Sequence, residues 1–124
     1  MVDLPSNNYV GLFGATSGNI SNIGLTNVSV SGDGTVGGLV GFQYGGTITN
    51  AYATGSVTGN MDVGGLVGGQ YYGGTITNSF WDTTTSGQTA MCGYYIAGGS
   101  GCDDSYGKTT AEMKILYTFN SNGG

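Results

Sequence analysis

The chain has 124 residues, a single-domain length, and only 7% of them are charged: two lysines, seven acidic residues and no histidine, for a net charge of -5. That excludes an electrostatic nucleic-acid binder, which needs cations to neutralise phosphates, and it removes the commonest catalytic base. Glycine supplies 27 residues, yet the 38% hydrophobic content is gathered in recurring clusters, so the composition points to an ordered repeat and not to disorder.

Residues 1–8 read as a lead-in, with neither the basic region nor the apolar core of a signal peptide. No stretch approaches the ~18 apolar residues that direct membrane insertion requires. Because a repeat starts so soon after Met1, we expect a segment of a longer protein.

From Tyr9 the chain says one thing three times. "YVGLFG", "VGGLVG" and "VGGLVG" begin at Tyr9, Val36 and Val63, 27 residues apart. "NISNIG", "TITNAY" and "TITNSF" begin at Asn19, Thr47 and Thr75, with one-residue slips left to the glycine loops. A period of 20–50 residues marks a solenoid or propeller. The segments inside each unit are short, β-branched and alternating, which favours strands. Glycine and asparagine at the joints supply the backbone freedom of sharp corners.

These features predict an all-β fold, a parallel β-helix (β-solenoid) of about three 27-residue turns over 9–35, 36–62 and 63–89. Like residues stack at about 4.8 Å per rung. The expected core columns are Leu12, Leu39, Leu66 and Ile20, Ile48, Ile76; Phe13, Val40, Val67 form another. Tyr52 and Phe80 continue a fourth, with Gly24 leaving a gap, and Asn22, Asn50 and Asn78 form a corner ladder. Adjacent Leu39 and Val40 cannot both point inward on a straight strand, so either a bend falls there or one of them faces out.

"VGGLVGFQYGGTITNAYATGSVTG" resembles the GLUG repeat of large bacterial surface proteins, notably filamentous-haemagglutinin-like adhesins and the non-catalytic repeats of some immunoglobulin A peptidases. "NSFWDTTTSGQT" and "GKTTAEMK" resemble the sequence that closes such arrays, so the likeness runs over roughly residues 9–119. It implies a parallel β-helix on a cell surface and names no ligand. The chain departs from the pattern where "AMCGYYIAGGSGCDDSY" intervenes and where the end reads "ILYTFNSNGG".

Residues 90–124 are expected to cap the stack, because an open β-edge invites pairing with other chains. Thr109 and Glu112 form a capping-box pattern, predicting a short helix over 110–117 that lays Met113, Leu116 and Tyr117 on the last rung. Cys92 and Cys102 frame a glycine-rich loop, and in a chain of extracellular character the pair predicts a disulfide.

Four chemistries compete for a site. Asp82, with Asp62 as partner, could mimic a glycosidase pair, but a structural corner explains "WDT" better, so the expectation is no enzyme. "GGSGCDDSY" begins like a calcium-binding nonapeptide, which normally works in tandem copies; the single copy here makes Asp103 and Asp104 weak calcium ligands or an exposed acidic turn. No other cofactor is implied. The "TIT" pairs at 47–49 and 75–77 admit ice binding, although half-buried strands favour threonine in any case. Tyr44, Tyr71 and Tyr72 sit after the "GGLVG" phrases, where rings could stack on sugars or enter a protein partner.

The leading expectation is a non-enzymatic spacer or adhesive module, extracellular at a cell surface. Its partners would be surface proteins or glycans of a host or neighbouring cell. The alternative is a subunit that self-associates into fibres.

Overall fold

The computed structural model describes residues 2–4, 9–71, 74–95 and 101–113. Strand β1 (Val2–Leu4) leads into a first turn of β2 (Tyr9–Val10), β3 (Phe13–Thr16) and β4 (Asn19–Gly32). The second turn is β5 (Thr35–Gly37), β6 (Val40–Tyr44) and β7 (Thr47–Gly59). The third is β8 (Val63–Gly64), β9 (Val67–Tyr71), β10 (Thr75–Thr77) and β11 (Phe80–Asp82). Helix α1 (Thr83–Ser86), β12 (Cys92–Tyr95), a 3-10 turn (Asp104–Tyr106) and β13 (Gly107–Lys108) close the stack. Among the described residues every strand pairing is parallel, in three sheets ordered β1-β4-β7-β11-β13 with β10 beside β7, β12-β9-β6-β3, and β2-β5-β8. The chain is a three-turn parallel β-solenoid.

Like stacks on like. Ile20, Ile48 and Ile76 are in register, as are Phe13, Val40 and Val67, with Cys92 added above. Leu39 and Val40 are both fully buried, because the chain bends at Gly38–Leu39 between β5 and β6 and so turns two successive side chains inward. Tyr52 sits between Gly24 and Phe80, and its ring occupies the space that a Gly24 side chain would need, so the gap in the first turn is filled from above.

Three particulars differ from the sequence reading. Val10, not Tyr9, pairs with Val36, because the first phrase has one glycine where the others have two and its bend is a residue shorter. The return from a 28- to a 27-residue offset falls inside β4, between Leu25 and Val28, not in a glycine loop: Asn27 takes a positive φ of 55° and its N–H donates to Thr54 Oγ1 at 3.0 Å. Leu12 lies below Leu39, whose carbonyl accepts from Phe13 N, but it is 49% exposed and is no core residue. It stands in the first turn, and among the described residues no rung lies beneath it. Ile20 is half-buried for the same reason.

Polar ladders reinforce the columns. Asn22, Asn50 and Asn78 all adopt left-handed backbone at one corner; Asn50 Nδ2 donates to Asn22 Oδ1 at 3.1 Å, and Asn78 Nδ2 donates to Asn50 Oδ1. Inside, Gln70 Nε2 donates to Gln43 Oε1 at 3.0 Å, and Gln43 Nε2 donates to the carbonyls of Gly46 and Thr75. Both glutamines are fully buried, where an unpaired amide costs about 1–3 kcal/mol, so these bonds lock one rung to the next.

The C-terminal end is covered. Beyond β11 the edge of β7 loses its strand partner, and side chains replace it: Thr85 Oγ1 accepts from Gly55 N at 2.9 Å and Gln88 Nε2 donates to Val57 O at 2.8 Å. Thr109 and Glu112 form the expected capping box, with Thr109 N to Glu112 Oε1 at 2.8 Å and Glu112 N to Thr109 Oγ1 at 3.2 Å. Residues 110–113 are helical and Met113 is buried; Leu116 and Tyr117 lie outside the described residues. Cys92 and Cys102 are joined by a disulfide, Cα to Cα 5.6 Å, which ties β12 to the closing segment.

Candidate functional site: an aromatic row on the flank

Rings from four strands meet along the flank where β2 approaches β6, β9 and β12. Tyr9 stacks on Phe42 with centroids 4.6 Å apart, Tyr71 meets Phe42 edge-on at 4.7 Å, and Tyr94 meets Tyr71 edge-on at 5.4 Å. Tyr44 leans on Phe42 at 5.8 Å and is 51% exposed. The row follows from register: Tyr44 pairs with Tyr71, and Phe42, Gly69 and Tyr94 share a column in which the glycine leaves room for the rings above and below. Such pairs contribute about 0.5–1.5 kcal/mol each beyond their burial. Burial first, then a hydrogen bond with the Tyr71 hydroxyl, and then the nearby Asp62 carboxylate, raise the Tyr94 hydroxyl above its ordinary range.

Of the tyrosines singled out from sequence, Tyr44 and Tyr71 belong to this row, and Tyr72 lies outside the described residues. Sequence reasoning missed Tyr9, Phe42 and Tyr94. The phrases "GFQY" and "GGQY" carried the signal, since their ring positions fall on one face once the register is fixed.

The acidic candidates do other work. Asp82 is buried at the start of α1, where Oδ1 accepts from Thr84 N at 2.9 Å and Thr85 N at 3.1 Å and Oδ2 accepts from Thr110 Oγ1 at 2.8 Å. Its carboxylate is thus committed to joining the last rung to the closing helix. Asp103 Oδ1 accepts from both Ser105 N and Ser105 Oγ, and these bonds lower its carboxyl below the ordinary 3.8. Bonds from the backbone and then the hydroxyl of Thr109 lower Glu112 in the same way. Asp104 Oδ1 accepts from Met91 N at 3.1 Å. Asp103 and Asp104 therefore shape the turn and pin it to the last rung; among the described residues no three His, Cys, Asp or Glu side chains gather as a metal site.

The threonine pairs also bond along the stack: Thr47 Oγ1 donates to Asn19 Oδ1 at 2.9 Å, and the Thr49 and Thr77 hydroxyls lie 3.2 Å apart.

No curated protein and no solved structure matches the chain. The GLUG motif matches residues 32–58 and residues 59–80. The first stretch covers β5, β6 and nearly all of β7, and the second runs from the end of β7 through β8, β9 and β10 to Phe80, so each match holds the buried Leu39 or Leu66 of its turn and its corner asparagine. The chain carries two adjacent GLUG motifs, folded as successive turns of a β-solenoid.

Proposed function

We propose that this structural repeat module serves as a non-enzymatic, stiff spacer in an extracellular cell-surface protein, with recognition borne on its flank. The observation that carries the reading is the rung-to-rung bonding along three parallel sheets. Backbone ladders, the Asn and Gln ladders and the covered C-terminal end all resist bending and shear along the stack. The disulfide suits an oxidising compartment. The commitment of Asp82 to a helix cap supports a non-enzymatic role.

Single-molecule pulling between the two termini, with marker domains on either side, tests the mechanical reading. Rungs are expected to peel in steps of about 90–97 Å, the extended length of 27 residues at ~3.3–3.6 Å each. Reductant should lengthen the final contour by the segment that the disulfide sequesters. Featureless extension at low force would refute a spacer.

Recognition is assigned to the aromatic row, whose exposed Tyr44 and Tyr9 fit the apolar face of an uncharged sugar or a partner's side chains on a facing cell. On a glycan array, binding by the unmodified chain should weaken about tenfold or more in Tyr44→Ala, the loss of one central ring contact. An array without signal, or binding indifferent to Tyr44→Ala, would remove the row from this role.

A further inference from the structure

The aromatic row has a carboxylate at its side. Asp62, in the loop between β7 and β8, lies against β12: a Cβ at Gly93 would come within 2.5 Å of the Asp62 backbone, and Tyr94 follows Gly93 in that strand. The Tyr94 hydroxyl bonds to that of Tyr71, and Asp62 and Tyr9 stand near enough to act on it electrostatically. Asp62 is half-buried, and among the described residues no hydrogen bond or ion pair holds its carboxylate. Lys108, the one lysine among the described residues, belongs to a different sheet, where its Nζ lies 5.9 Å from the centre of the Phe80 ring.

These groups sort ligands by charge. The Asp62 field that opposes a phenolate at Tyr94 favours a positive group in the same place, and the chain's net charge of -5 adds to it. Aromatic faces are electron-rich and attract cations over the ring centre. A bare metal ion does not suit the place, because ring faces and neutral phenols are poor replacements for its shell of oxygens. An alkylated ammonium spreads its charge over methyl groups that pack on rings. A neutral sugar can use the rings but gains nothing from Asp62.

Building on the reading of the row as a recognition face, we infer that it takes a quaternary ammonium group where Tyr9, Tyr71 and Tyr94 gather beside Asp62. The rings supply attraction and apolar contact, and the carboxylate supplies the counter-charge. Charge complementarity thus chooses one ligand class from those that aromatic rings alone would accept. An exposed ring contributes about two- to fivefold in affinity to such a cation, so a lone trimethylammonium group binds weakly, with a dissociation constant on the order of 1–10 mM.

Choline chloride titrated into the disulfide-intact chain at low ionic strength should shift the tyrosine ring protons in NMR spectra. Its uncharged isostere, with a quaternary carbon in place of the nitrogen, should bind about fivefold more weakly or worse. Asp62→Asn and Tyr9→Leu should each weaken choline about threefold. Glu112→Gln removes the same charge as Asp62→Asn while keeping the capping box, and should leave binding unchanged. Acetylated trimethyl-lysine presents the same group on a protein side chain, and the tighter of it and choline names the source. Equal binding of the isostere, no ring shifts up to about 100 mM choline, indifference to Asp62→Asn or Tyr9→Leu, or an equal loss in Glu112→Gln would overturn the inference. Equal binding of the isostere would still leave the row a recognition face for uncharged ligands, whereas no shifts from either probe together with a silent glycan array would remove both readings. The comparison of choline with its isostere uses the unmodified chain and decides the matter even where a variant misfolds.

Discussion

Trp81→Ala is expected to destabilise the chain by about 3–5 kcal/mol, the range for deleting a large buried aromatic side chain. The Trp81 ring is fully buried in a column where its paired neighbours are Ala53 on one side and Gly107 on the other. The plane of Gly65 closes a third side, so that any side chain built at Gly65 would overlap the indole. Ordinary cavities shrink when larger neighbours relax into them; here the residues stacked directly on the indole are too small to do so, which puts the cost at the upper part of the range. The indole also holds the cap. Trp81 Nε1 donates to Gln88 O at 2.9 Å, and Gln88 in turn covers Val57 O on the open edge of β7.

Trp81→Phe separates the two contributions, restoring most of the ring while leaving Gln88 O without its donor, and is expected to cost about 1–3 kcal/mol. Urea denaturation followed by far-UV circular dichroism is the appropriate measurement, because Trp81 is the chain's one tryptophan and fluorescence disappears with it. A loss below about 2 kcal/mol for Trp81→Ala would mean that the cavity does collapse, contrary to this packing account.

The sequence shows the period, the parallel stacking and the identity of most columns because in a solenoid each residue's main neighbours are its own counterparts one turn away. Repetition along the chain is then repetition in space. Exceptions arise where counterparts are missing. Leu12 shares the phrase of Leu39 and Leu66, but burial comes from having a rung on both sides, and the phrase cannot report that. The pairing of Val10 with Val36 turns on a single missing glycine, which alignment by eye places equally well before or after the bend.

The polar residues were harder to read. Gln43 and Gln70 recur at the 27-residue spacing, and that coincidence alone could have marked an internal amide ladder. Asp82 and Asp104 carried no such signal, since each acts once, at the closing end, where the repeat stops constraining the sequence. The aromatic row lies between these cases: Tyr44 and Tyr71 follow the period, while Tyr9 and Tyr94 join from the first and last rungs, whose offsets differ.

Gly64→Ala is expected to cost about 3 kcal/mol or more, the severe end of overpacking. Gly64 stands in the twice-written phrase "VGGLVG", paired with Gly37 at the start of the bend that sends Leu66 and Val67 inward. A Cβ there would collide with the carbonyl oxygen of Val67 and come within 2.5 Å of the carbonyl oxygen of Met91. Both obstacles are backbone. The Met91 carbonyl is held by Leu66 N at 3.1 Å and Val67 N at 3.0 Å, so moving it breaks the ladder between the third turn and the closing segment. No rotamer change relieves that overlap, unlike a clash with the end of a flexible side chain.

Gly18→Ala is the matched control, since a Cβ at Gly18 meets nothing within 4 Å and its backbone does not need the left-handed region. That substitution should be neutral or stabilise by about 0.4–1 kcal/mol through the unfolded chain. Glycine is kept in the phrase by contact between adjacent backbones and not by flexibility, so the two variants must move apart in urea midpoint. Equal midpoints would show that the bend tolerates a side chain and that the repeated glycines have some other cause.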